Sequence, residues 1–319
     1  MSWKLWIRPE QRSALMSKED FRFQHTPYDG SSHPFTVGLK PIDEGEWLEP
    51  DAFLVPHLAE KDRLVSERHD AVFRAEDGTE EAQREVLALI VENLKQYHGK
   101  THKFEAGRVV IADRGPVVDL SNEPALLTAA RLVQEDLVLM RQGPDGYRLA
   151  AASLSFPSSW SLAEKFSKSM SAIHETVPGF NGARMGLMVA RLFENLKVGQ
   201  FVCRFNWSIY PDDELYNPKP HRIDMRDGEP ALSRLFLRVE RQTLRRLPGS
   251  GDIIFTIKIH HDPLRALEGH PERGQLAGQL RTQLMALDPD QLQYKGLANA
   301  RDELARALSE LSTSEAGVM

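Results

Sequence analysis

Cysteine is nearly absent from this chain: Cys203 is the one thiol in 319 residues. One thiol makes no internal disulfide, no zinc tetrad and no iron–sulfur cluster. The scarcity suits a reducing compartment. Long hydrophobic runs are missing too. None approaches the roughly 18 apolar residues of a membrane span, so no membrane partner is expected. The opening "MSWKLWIRPEQRSALMSKED" lacks a continuous apolar segment, so no secretory signal is expected and the cytoplasm is the expected location. A basic excess is also lacking. The formal net charge is -6, which gives no reason to expect a nucleic-acid partner. Nucleotide signatures are absent: there is no G-x-G-x-x-G after a strand and no G-x-x-x-x-G-K-[ST], hence no sign of a nicotinamide, flavin or ATP site of its own. G-x-S-x-G and H-E-x-x-H are missing as well.

What is there reads as an ordinary globular protein, 41% hydrophobic and 27% charged, long enough to bury a substantial core. The first 60 or so residues are irregular and punctuated by "HTPYDGSSHPF", and read as an arm lying on a core. "TEEAQREVLALIVENLKQY" (79–97) predicts a helix, with Thr79 as a capping candidate. "RVVIAD" is a short strand. A helix to about 132, a strand around 135–141, the turn "QGPDG" and a returning strand "YRLAAASLSF" follow. "SWSLAEKFSKSMSAIH" predicts one serine-capped helix and "RMGLMVARLFENLKV" another. Three strands come next, over 201–210, 232–244 and 251–261, then helices near 274–287 and 298–311 and a frayed tail, "STSEAGVM". The expected class is α+β: a mostly antiparallel sheet of about five strands with a helical insertion between strands two and three. Its expected organisation is an arm and helix (1–105), a sheet core (106–265) and C-terminal helices (266–319), forming one compact unit.

Strand alternation sorts the polar residues. Arg204, Asn206 and Ser208 share one face, with Phe205, Trp207 and Ile209 on the other. Arg238, Glu240 and Gln242 share a face, opposite Val239, Arg241 and Thr243. Ile253, Phe255, Ile257 and Ile259 form an apolar face. These faces read either as a wet sheet surface with an Arg–Glu ladder, or as a pocket that takes a flat hydrophobic body and uses arginines as carboxylate forks. His174, in "SMSAIHETVPGF", has two readings: a helix C-terminal residue facing the dipole, or an axial metal ligand above such a pocket. His98 and His102 are interrupted by Gly99 and read as solvated rather than as a metal pair. His260 and His261 point to opposite faces of a strand. Cys203 reads as a small buried hydrophobe; as an axial ligand it would make the site P450-like.

"QEDLVLM", "FPSSW", "IHETVPGF", "RFNW", "LRVERQTLRRLPGSGDIIFTIK" and "YKG", with "PFTVGLKPID" before them, resemble the signature blocks of the α-subunit of haem-dependent oxidative N-demethylases, from about residue 33 to 296. The resemblance implies a PAS-like antiparallel sheet holding haem b, with a histidine axial ligand placed here on His174. It implies demethylation of a secondary amine, dimethylamine to methylamine and formaldehyde, with O2 and electrons from NADPH. Those electrons would come from a reductase subunit carrying FMN and an iron–sulfur cluster, within a hetero-oligomeric complex. Within that frame Glu240 is the expected amine counter-ion and Trp207 a cation–π wall. Arg204, Arg238 and Arg241 are propionate candidates, and Phe255 lies on the haem-facing apolar surface. The competing readings are a non-catalytic haem-binding sensor or carrier module, and a non-haem enzyme using the Arg/Glu face for acid–base work.

Overall fold

The computed structural model describes residues 23–30, 34–112, 114–181, 184–225 and 230–313. The opening segment examined for a leader and the end of the frayed tail lie outside these residues. Among the described residues, ten strands fall into two sheets. In chain order they are β1 (Lys40–Ile42), β2 (Phe73–Ala75), β3 (His102–Glu105), β4 (Arg108–Ile111), β5 (Val117–Asp119), β6 (Asp136–Gly143), β7 (Gly146–Ser153), β8 (Phe201–Tyr210), β9 (Phe236–Arg246) and β10 (Ile253–Pro263). The large sheet is antiparallel throughout, in the order β1-β8-β9-β10-β6-β7-β2, and β3-β4-β5 form the small one. The class is α+β, as the alternating runs predict. The helices are α1 (Leu54–Val72), α2 (Glu80–Tyr97), α3 (Ala125–Ala130), α4 (Leu162–Lys165), α5 (Met170–Ile173), α6 (Arg184–Asn195), α7 (Arg273–Met285), α8 (Pro289–Tyr294) and α9 (Arg301–Thr313).

Packing rather than capping holds α2. Thr79 makes no cap bond; its hydroxyl donates to the Glu76 carbonyl instead. A cap contributes about 1 kcal/mol. Val86, Ile90 and Leu94 are fully buried at helical spacing, and each contributes about 1.5–3 kcal/mol. The same logic makes α1, a helix the sequence reading passes over. Leu54, Leu58, Lys61, Leu64 and Val72 are its buried positions, diluted by charge between them. Pro56 falls in its first turn, where a missing N–H costs nothing.

The helix expected through "SWSLAEKFSKSMSAIH" is two. Ser161 caps α4 and Ser169 caps α5. Between them the backbone turns extended and pairs with β7: the Leu149 N–H donates to the Lys168 carbonyl, and the Ser167 N–H to the Leu149 carbonyl. Sheet hydrogen bonds displace the helical ones there, and His174 ends a single turn instead of a long rod.

The two faces of the large sheet are covered differently. On one, Val138, Met140, Leu149, Leu244 and Ile257 share an apolar cluster with Leu162 and Phe193 of the α4–α6 layer. On the reverse face, Leu137, Leu139 and Ile254 pack with α2 and α3, while Trp207, Leu237 and Val239 pack with α7 and α9. The loop after β7 (154–160) is pinned from below. Asp136 accepts from the backbone N–H groups of Ser155 and Phe156 at 2.8 and 2.7 Å. Arg238, fully buried, donates to the Phe156 carbonyl (2.8 Å), the Leu215 carbonyl (3.1 Å) and Ser158 Oγ (2.9 Å).

Two stability predictions follow from these buried groups. Arg238→Met leaves several buried acceptors unpaired, each worth about 1–3 kcal/mol. Urea unfolding should show a lower midpoint at unchanged m-value; an unaltered midpoint contradicts the pinning role. Burial also holds His57 (at about 3), His102, His174, His221, His260 and His261 below the usual histidine pKa. The unfolded chain therefore binds more protons than the folded one below the ordinary histidine pKa of about 6.5. Asp262, pushed up to about 7 by burial, and Asp136 act in the opposite sense. The histidines outnumber them, so the stability of the protein should fall from pH 7 to pH 5. Unfolding midpoints measured across that range check the sign.

Candidate functional site

A cavity of about 270 Å³ opens between the large sheet and the α4–α6 layer. The sheet wall carries Arg204, Asn206, Glu240, Gln242, Phe255 and Ile257. The register explains this grouping: Asn206 stands opposite Glu240 and Arg204 opposite Gln242, so both pairs present to one side. Across the cavity stand Trp160, Met170, His174 and Phe180.

Two histidines line the cavity, and their hydrogen bonds separate them. His221 uses both ring nitrogens: Nε2 donates to the Ile209 carbonyl at 2.9 Å, and Nδ1 stands 3.1 Å from Ser159 Oγ. His174 uses one. Its Nδ1 is 2.9 Å from the Met170 carbonyl. A carbonyl only accepts, so Nδ1 carries the proton and Nε2 keeps a lone pair. The ring lies flat on Phe180, centroids 4.1 Å apart and planes at 12°. Burial depresses the His174 pKa and the Arg204 charge adds to this, against the Met170 carbonyl. A neutral, oriented imidazole whose other N–H is tied to a carbonyl is the form that ligates metals.

Arg204 faces the same cavity with its Nε buried and unpartnered. Among the described residues no hydrogen bond or ion pair engages its guanidinium, and the opposite charge that acts on it is that of Glu240. Glu240 accepts from Gln242 Nε2 at 2.6 Å and Asn206 Nδ2 at 3.3 Å through one oxygen, Oε2. Lys295 completes this polar stripe. Its Nζ donates to the Trp207 carbonyl and lies 3.4 Å from Asn206 Oδ1. Burial pushes its pKa down to about 8, against the pull of Glu240.

The structure therefore gathers His174, Arg204, Glu240 and Phe255 around one cavity. Trp207, Arg238 and Arg241 lie outside it. Trp207 sits on the reverse face of β8 and donates its indole N–H to Gln283 Oε1 at 2.7 Å. Arg241 also faces the reverse side, bonded to the Trp47 and Glu46 carbonyls. Arg238 is on the cavity side of β9, but its donors are consumed by the loop carbonyls and Ser158. Cys203 alternates with Arg204 and so faces away. Burial pushes its thiol pKa up, the reverse of what a thiolate ligand needs. His102, expected to be solvated, is buried with Nε2 on the Leu132 carbonyl at 2.8 Å. Lys295, Trp160 and Phe180 are cavity residues that sequence reasoning did not single out. They lie in the quoted "YKG", "FPSSW" and "IHETVPGF" blocks, where no strand period marks an inward direction.

An apolar slot, one imidazole with a spare nitrogen and an unpaired buried guanidinium fit a haem, which needs a ligand below the iron and cations for its propionates. His174→Ala should weaken haem binding at least 100-fold in a titration of apoprotein, with far-UV circular dichroism unchanged; full-strength uptake with the parent spectrum removes His174 as ligand. A family model described as "Haem-dependent oxidative N-demethylase, alpha subunit-like" matches residues 38–305, which take in the whole cavity sheet and the His174 insertion. This chain belongs to the haem-dependent oxidative N-demethylase α-subunit-like family.

Proposed function

We propose that this chain is the haem-containing oxygenase subunit of a complex that removes a methyl group from a secondary amine, dimethylamine going to methylamine and formaldehyde. The observation that carries this reading is the placing of a carboxylate, Glu240, in the same cavity as a histidine with a free nitrogen. Haem b, when bound, supplies O2 activation and oxidation of the methyl C–H bond.

The residues of the chain do the rest. His174 holds the iron, and Arg204 takes a propionate. A dialkylammonium ion is small and offers little apolar surface, so its recognition rests on charge. Glu240 Oε2 is already occupied by Gln242 and Asn206, which orient the carboxylate and leave Oε1 as the acceptor for the ammonium. Trp160, Phe156 and Phe180 wall the slot and exclude water.

Electrons have to come from outside. The sequence has neither a nucleotide fingerprint nor cysteines for a cluster, which supports a reductase partner carrying FMN, an iron–sulfur centre and the NADPH site. The PAS-like reading of the sheet is supported by its helical insert between β7 and β8.

Glu240→Gln keeps the shape of the side chain and removes its charge. With the reductase supplied, the KM for dimethylamine should rise about tenfold or more with haem content unchanged. Unchanged kinetics remove Glu240 from the amine site. A haem protein that never turns over amines supports the sensor or carrier reading instead.

A further inference from the structure

On the reverse face of the sheet, away from the cavity, two histidines converge on one carboxylate. His25 Nε2 is 2.9 Å from Glu49 Oε2 and 3.0 Å from Oε1. His260 Nε2, on β10, is 3.5 Å from the same Oε2 and makes no hydrogen bond. One ligand atom from each of the three lies within 4.8 Å of the others. Aromatic contacts fix the rings: His25 packs on Phe205 at 4.7 Å and meets His260 edge-on at 4.9 Å.

The orphaned nitrogen is the telling feature. His260 is more than nine-tenths buried. If its Nε2 carries a proton, the buried donor has only the long 3.5 Å approach to Glu49; if not, a buried lone pair lacks a donor. Either state is costly in a buried setting. A metal ion satisfies it. Ligands bound at about 2.0–2.2 Å in a tetrahedral shell stand roughly 3.4 Å apart, and the separations from Oε2 to the two nitrogens, 2.9 and 3.5 Å, bracket that spacing.

We propose that His25, Glu49 and His260 bind one divalent metal ion of the zinc class, with water completing the shell. The surrounding charges select the metal. Lys258 is balanced by Asp51 at 2.7 Å. Arg241 stands 3.4 Å from Glu49 Oε2, anchored through its other nitrogens to the Glu46 and Trp47 carbonyls. This neighbouring cation penalises ions held by charge alone, such as Mg2+ and Ca2+, and leaves those with strong affinity for imidazole. The ligands come from three separate segments: the chain near residue 25, the stretch before α1, and β10. The ion therefore clips the outer segment to the sheet. His25 precedes the residues matched by the family model, 38–305, while Glu49 and His260 lie within them.

The test is calorimetry on the purified haem protein after chelator treatment, titrated with Zn2+ or Mg2+. The expected result is one Zn2+ per chain and no Mg2+. Affinity should fall at least 100-fold in His25→Gln and in His260→Gln, and Zn2+ should raise the thermal midpoint of the parent only. His25 is partly exposed and off the sheet, so its variant keeps the fold, checked by an unaltered Soret band. No Zn2+ uptake by the parent, or equal uptake by both variants, overturns the proposal.

Discussion

The antiparallel register of β8, β9 and β10 is the constraint from which the rest follows. Side chains alternate across a sheet with a period of two, and a slip by one residue would exchange the faces. In this register Arg204, Asn206, Glu240, Gln242 and Phe255 meet on the cavity side. Trp207, Arg241, Lys258 and His260 are sent to the reverse. Two polar systems are thus built back to back through one layer of backbone, and neither charge set can compensate the other. Each has to be satisfied on its own side.

They solve that problem in different ways. On the reverse side Lys258 pairs with Asp51 and Arg241 with the Glu46 and Trp47 carbonyls, while Arg245 rests over the Trp47 and Phe201 rings with its Nε and Nη1 making no hydrogen bond. On the cavity side Arg204 has a buried nitrogen with no partner, and His174 has a nitrogen to spare. A buried donor left unmade costs about 1–3 kcal/mol. Incomplete pairing next to an open apolar slot is what a site for an anionic, iron-bearing planar group requires. Complete pairing, as at Arg238 below the slot, is architecture.

Much of the sheet and its faces was legible in the sequence because alternation is local. The apolar face of β10 and the Arg–Asn and Glu–Gln pairs could be read directly. The same alternation, followed strictly, places Trp207 and Arg241 away from Glu240; nominating them for the pocket weighed their chemistry above their period. Arg238 is a different case. It has the correct face, but only the folded chain shows which carbonyls turn inward to occupy it. Lys295 and Phe180 belong to a short helix end and an irregular loop, and no periodicity aims such residues. The break between α4 and α5 was hidden because a tertiary pairing with β7 overrides local helix propensity. The cluster of His25 and His260 joins residues far apart in the chain, and nothing in the spacing of either announces the other.

The central claim is that amine and haem share this cavity, the iron held by His174 and the amine by Glu240. The most direct test is the visible spectrum of the purified haem protein, oxidised and reduced, recorded with and without dimethylamine. A Soret band of histidine-ligated haem b that shifts on adding the amine, and does not shift in Glu240→Gln, is the predicted result. A Soret band blind to the amine contradicts the shared site, and no haem uptake after reconstitution contradicts the account as a whole.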